Sequence, residues 1–284
     1  MSINETKNEI VVVTKFALKL AIIAAVVLIG ANFTKKSHAY DEKNKVITIG
    51  TTVGDFSILV NQGLKPELEK RGYKIKHIEF TDYVRPNIAL SEGALDVNIF
   101  QHKPYLDEFA KEKNLQLSVL APVPTAPLGL YPGKLKTLAD FKEGGSVAIP
   151  NDPTNLARAL VIFHELGWIK LAKSVNPLKA SVKDIEKNLK NIKIVQLEAA
   201  QLPRSLTDVD FAVINGNYAT ASGIAIASAL AREKNDNYIN YAVVRSTDLK
   251  VGFAKDFADV LRSSTFKTFA KNRFKGYKFP AEWK

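Results

Sequence analysis

Cysteine is absent from all 284 residues, which excludes disulfides, thiolate metal sites, cysteine nucleophiles and lipid attachment through a cysteine. Histidine is scarce as well. His38 lies in the N-terminal segment, and His77, His102 and His164 show no HxH, HExxH or H-x3–5-H spacing, so no metal site is expected. There is no G-x-S-x-G, and Gly144-Gly145-Ser146 leads into a strand pattern instead of forming a phosphate loop, so no catalytic residue is assigned. Long hydrophobic runs are missing: even from Phe16 to Phe33, Lys19 and Asn32 interrupt the segment, short of the ~20 apolar residues of a spanning helix. Acidic residues are outnumbered, 29 against 40 Lys+Arg, for a formal charge of +11. The basic residues scatter without a nucleic-acid-binding motif, so a solvated surface is the expected reading and nucleic acid is not an expected partner.

What is present is a globular composition, 46% apolar and 24% charged, in a length that suggests about two domains. Lys7, Lys15 and Lys19 precede the apolar run Leu20 to Ile29, and polar residues then lead to Ser37-His38-Ala39. That order is a secretory signal over residues 1–39, with an uncleaved N-terminal anchor as the alternative. The segment holds five lysines and two glutamates, net +3, so +8 of the +11 stays with the chain from Tyr40.

Beyond it, short β-branched runs alternate with helical spacing. Val46 to Thr51, Tyr73 to Phe80 and Leu95 to Phe100 read as strands, and the intervening helices carry Pro66, which kinks or restarts the first, and Pro86 in a first turn. Pro104 opens a helix to Lys113. This βαβ order predicts a mainly parallel sheet. The proline-rich stretch Ala121 to Gly133 reads as an extended crossover to a second series. There, strands at Ser146 to Ile149, Ile192 to Leu197 and Val209 to Ile214 surround a helix from Thr154 through Leu166. Tyr238 to Arg245 reads as a returning strand, and helices near 253–262 and 264–274 finish the chain. Two α/β lobes around a cleft are predicted.

Ligands in such sheets sit at strand carboxyl ends and helix N-termini. Phe80 to Tyr83, Phe100 to Pro104, Asn151 to Arg158 and Asn215 to Tyr218 occupy such positions. Free N–H groups at a helix start together with Arg158 one turn inside suit a carboxylate. Thr154 capping that helix while Arg158 pairs with a surface acid accounts for the same residues. Tyr83, Phe100 and His102 suit an apolar pocket with one polar edge, where aromatic edges attract a thioether by ~0.3–1.5 kcal/mol; Phe100 as core and His102 as a structural residue is the plainer alternative.

The stretches Phe80 to Asn87, Asp96 to Leu106, Val147 to Leu156, Leu197 to Leu206 and Phe211 to Asn215 resemble the NlpA lipoprotein family, the methionine-binding components of ABC importers. The likeness runs from Val46 to Trp283, and FQHKPYL and PNDPTNLAR are its most specific parts. It implies a type II periplasmic-binding-protein fold, with residues 46–128 in lobe I, 129–238 in lobe II and 239–284 returning to lobe I. By motif position, Tyr83, Phe100 and His102 would surround a methionine side chain and Arg158 would hold its carboxylate. Asn155 and Asn215 would bond the amino and carboxylate groups, with Asn217 and Tyr218 close by. The resemblance further implies a monomeric, cofactor-free periplasmic protein that delivers L-methionine to an ABC permease. D-methionine, a methionine dipeptide or another apolar amino acid are alternatives, and a periplasmic hydrolase on the same scaffold is the alternative from another class. Two features depart from the family: the lipobox cysteine is missing, and Gly54-Asp55-Phe56-Ser57 stands where many members have Pro-His-Ala-Glu.

Overall fold

A computed structural model describes Tyr40 and residues 42–283, so the expected signal segment lies outside the described residues. The first series builds a five-stranded sheet, order β2-β1-β3-β12-β4, from β1 (Val46–Thr52), β2 (Lys74–Phe80), β3 (Val97–His102), β4 (Leu117–Val123) and β12 (Asn240–Arg245). β3 lies in the middle and every residue in it is buried, as its apolar run requires. The second sheet, order β11-β5-β10-β6-β9, uses β5 (Gly129–Pro132), β6 (Ser146–Pro150), β9 (Lys193–Leu197), β10 (Phe211–Ile214) and β11 (Ala231–Arg232). A separate hairpin pairs β7 (Ile169–Leu171) with β8 (Ile185–Asn188). The chain therefore changes sheets between Val123 and Gly129, and changes back between Arg232 and Asn240.

Two lobes flanked by helices are present, but each large sheet is mixed. β1 pairs with β2 and β3 in parallel, while β12 runs antiparallel to β3 and β4; β6 pairs in parallel with β9 and β10, and β5 is antiparallel to β10 and β11. The returning strand and the crossover strand supply the antiparallel pairs, which a local βαβ reading does not foresee. The proline-rich stretch is likewise not a bare crossover: it holds the end of β4 and all of β5. Pro122 is tolerated because β4 is an edge strand that pairs only with β12.

The first helical segment comprises α1 (Asp55–Ile58), a π-helical stretch Leu59–Leu64 and α2 (Lys65–Lys70), whose first turn takes Pro66. The widened stretch places Gly63 under the rings of Phe266 and Phe269, where a Cβ would collide. The remaining flanking helices used below are α3 (Arg85–Ser91), α4 (Lys103–Lys113), α5 (Pro153–Glu165), α6 (Leu202–Ser205), α7 (Gly216–Ala221), α8 (Gly252–Arg262) and α9 (Ser264–Arg273). Phe253, Ala254, Phe257 and Leu261 lie on one face of α8, and with Phe266 and Trp283 they close the core of the first lobe. In the second lobe Trp168 stacks on Phe141, with centroids 4.3 Å apart, and on Phe211 at 5.9 Å. Packed aromatic cores on both sides carry the residues between them.

Candidate functional site

β3 ends at His102, whose Nδ1 caps α4 by accepting from the Tyr105 N–H at 3.1 Å. That bond fixes the tautomer: Nε2 carries the hydrogen and faces the Asn155 Oδ1 at 3.3 Å, across the lobes. Burial and the nearby Arg158 charge hold the imidazole pKa well below its usual value, so His102 is neutral. On the opposite lobe, the α5 cap is Asp152, which accepts the Asn155 N–H at 3.0 Å; the expected Thr154 cap is thereby corrected, its hydroxyl bonding Asp152 instead. An aspartate takes that place because its carboxylate reaches both the backbone N–H and the Asn155 amide.

Arg158, one turn into α5, is 4% exposed and pairs with no surface acid. Its Nε donates to Glu233 Oε2 at 2.8 Å, Nη2 to Glu233 Oε1 at 2.5 Å, and Nη1 to Asn155 Oδ1 at 2.7 Å. The guanidinium lies 4.5 Å from the Tyr238 ring centroid. Burial works against its charge, and Glu233 outweighs it, so its pKa is raised. Of five N–H groups, these three bonds leave one on each Nη, a pair of charge-assisted donors for a carboxylate. Glu233 is anchored by the Leu128 N–H at 3.0 Å, so the fork is held from outside the helix that carries it.

The aromatic side is built from the first lobe. Tyr83 stacks on Phe100 with centroids 5.8 Å apart, and Tyr105 meets both rings edge-on at 5.9 and 6.0 Å. Tyr83 donates its hydroxyl to Asn217 Oδ1 at 2.6 Å, while Asn217 Nδ2 donates to Thr52 Oγ1 at 3.2 Å. Tyr218 packs against Tyr83 and donates to the Thr81 carbonyl at 3.1 Å. These contacts join the lobes in a closed arrangement.

Between them, in this closed arrangement, lies a small cavity of about 30 Å³. Tyr83, Phe100, His102, Asn155, Arg158 and Asn215 all line it. The two asparagines are bonded differently within it. The Asn155 amide donates Nδ2 to the Asp152 carboxylate and accepts at Oδ1 from Arg158, Asn215 and His102, so Asn155 ties these residues together. Asn215, by contrast, donates Nδ2 to Asn155 at 3.0 Å while its buried Oδ1 has no partner. Asn217 lines the cavity and Tyr218 does not, packing instead against Tyr83.

Asp55 and Phe56 of the departing Gly54-to-Ser57 segment line the cavity; sequence reasoning assigned no role to Gln101, Tyr105, Thr125, Ala126, Gly216 and Asn240 among the lining residues, or to Glu233 behind Arg158. Gln101 and Tyr105 sit inside the FQHKPYL motif and could have been found there. Asn240 and Glu233 are brought in by the return between sheets, which leaves no local signal.

Gly54 sits at the join with φ +104°, and a Cβ there would collide with the Asn217 carbonyl of the other lobe. Gly54→Ala is therefore expected to disfavour the closed arrangement by about 1–3 kcal/mol, roughly five- to 150-fold in ligand affinity. Calorimetric titration of the variant checks this, and an unchanged affinity contradicts it.

Two lobes with a buried cationic fork, an aromatic wall and an orphaned acceptor facing one cavity define a binding protein for a small zwitterion. The NlpA lipoprotein family model matches residues 47–282, and the chain belongs to the NlpA lipoprotein family. It is 38% identical over 265 residues to the D-methionine-binding lipoprotein MetQ of Salmonella typhi, covering 92% of this chain and 97% of that protein. The MetQ of Escherichia coli K12 is 36% identical, covering 92% and 95%. Among solved structures, a nutrient binding protein from Burkholderia cenocepacia bound to methionine is 40% identical with a TM-score of 0.77, covering 82% of this chain and all of that one. A substrate-binding protein of an ABC transporter from Coxiella burnetii is 35% identical, TM-score 0.77, with coverage of 82% and 100%.

Proposed function

We propose that this protein captures methionine outside the cytoplasm and delivers it to the permease of an ABC importer. The observation that carries the reading is the Arg158 fork: a buried, pre-paired guanidinium with two uncommitted N–H groups in a cavity walled by Tyr83 and Phe100. The carboxylate would dock on Arg158, the ammonium would meet Asn215 Oδ1, and the thioether would lie against the rings. Because ligand contacts come from both lobes, binding stabilises the closed arrangement, and that difference is what a permease can read.

The family names and the methionine-bound neighbour support the ligand class. Among the described residues no helix is long and apolar enough to cross a membrane, and no cluster of three metal-ligating side chains occurs. In this reading the protein acts as a monomer and carries out no chemical step. A thermal-shift panel of L-methionine, D-methionine, glycyl-methionine and leucine tests it. L-methionine is expected to raise the melting temperature most and to be recovered chemically unchanged. A product in the recovered ligand, or no shift with any member, overturns the reading.

A further inference from the structure

Two residues that line the cavity each carry a buried oxygen with no hydrogen bond of ordinary geometry, Asn215 Oδ1 and Asp55 Oδ2, with the Tyr277 hydroxyl beside the Asp55 carboxylate. They come from opposite lobes. Asn215 is the N-cap of α7, while Asp55 opens α1 immediately after the Gly54 turn. Asp55 is 3% exposed, and its other oxygen accepts the Phe56 N–H at 3.0 Å. A carboxylate buried with only the Phe56 N–H and the Tyr277 hydroxyl to support it is costly to ionise, and a cationic ligand group would offset that cost. Charge counting points the same way. Arg158 and Glu233 cancel, so when Asp55 is ionised it is the unbalanced charge of the cavity wall.

We propose that Asp55 is a specificity-determining residue that holds the primary ammonium of the ligand, together with Asn215 Oδ1. An ammonium has three donors, and bonding to one acceptor on each lobe would let the cation itself help bridge the cleft. The inference rests on the amino-acid reading of the site. The same chemistry is offered by a free amino acid and by the N-terminal amine of a short peptide.

The groups facing Asp55 are few. The Tyr277 hydroxyl approaches from the C-terminal segment, Tyr83 interacts with it electrostatically, and Arg158 and neutral His102 stand elsewhere in the cavity wall. Burial raises the Asp55 pKa from 3.8 to about 6, with the Tyr277 hydroxyl and the Phe56 N–H pulling it back. An arriving ammonium would therefore displace a proton near pH 6.

The test is calorimetric titration of wild type and Asp55→Asn with L-methionine, glycyl-methionine and the deaminated analogue 4-(methylthio)butanoate. Asp55→Asn is expected to weaken whichever amine the wild type binds by ten- to a hundredfold, and to leave the analogue within about threefold. Tighter wild-type binding of the free amino acid or of the dipeptide identifies the source of the ammonium. As a second measurement, titration of that amine at pH 5, 6 and 7 in two buffers of different ionisation enthalpy is expected to show net proton release by wild type and none by the variant. Unchanged amine affinity in the variant, equal loss for amine and analogue, or no proton release by wild type overturns the proposal while leaving methionine binding intact. Wild type that binds no amine at all overturns the function proposed above and this inference with it.

Discussion

Replacing Arg158 by alanine is expected to lower methionine affinity by two to four decades and to destabilise the ligand-free protein by about 3–5 kcal/mol. Both effects have one cause. Arg158 neutralises Glu233, and each is 4% exposed in its side chain; without the guanidinium, a carboxylate is left buried with only the Leu128 N–H for support. The ligand carboxylate loses the same partner. A second substitution separates the two roles. Arg158→Ala combined with Glu233→Ala removes the stranded charge, so denaturant unfolding should show much of the stability restored while titration shows binding still absent. If the double variant regains affinity, the carboxylate docks elsewhere.

Asp55→Asn is expected to stabilise the ligand-free protein at pH 7.5 by up to roughly 3 kcal/mol, the opposite of an ordinary buried substitution. The sign follows from the proton balance. Unfolded, the Asp55 carboxyl ionises near 3.8; folded, burial keeps its proton to about pH 6. Between those values the native state binds more protons, so stability falls as pH rises, and above pH 6 the full penalty remains. An asparagine carries no such penalty, so its advantage should vanish below about pH 4 and grow through the interval to a plateau. Urea unfolding from pH 4 to 8 measures it. A variant less stable than wild type across the range would mean that Asp55 is satisfied in the native state.

The elements nearest each other in the chain were the most legible. Pro86 and Pro104 marked helix starts because a first turn loses nothing when its N–H is missing, and both fall in first turns. The strands of β1, β3 and β6 followed from β-branched runs that fill buried positions. Long-range pairing was not legible. The end of β4 and all of β5 lay hidden in a proline-rich stretch; β4, with only one partner, accepts Pro122. Glu233 lies 75 residues from Arg158, and nothing near either residue announces the ion pair. At the site, motif position brought together Tyr83, Phe100, His102, Arg158 and Asn215, while the commitment of the Asn155 amide depends on a hydrogen-bond network that only the folded chain defines.

The most direct test of methionine capture is calorimetric titration of the purified protein, unfolded and refolded to remove any carried ligand, with L-methionine. Saturable binding of one methionine per chain, lost in Arg158→Ala, is the predicted result. No heat of binding from a refolded protein that unfolds cooperatively would contradict the account.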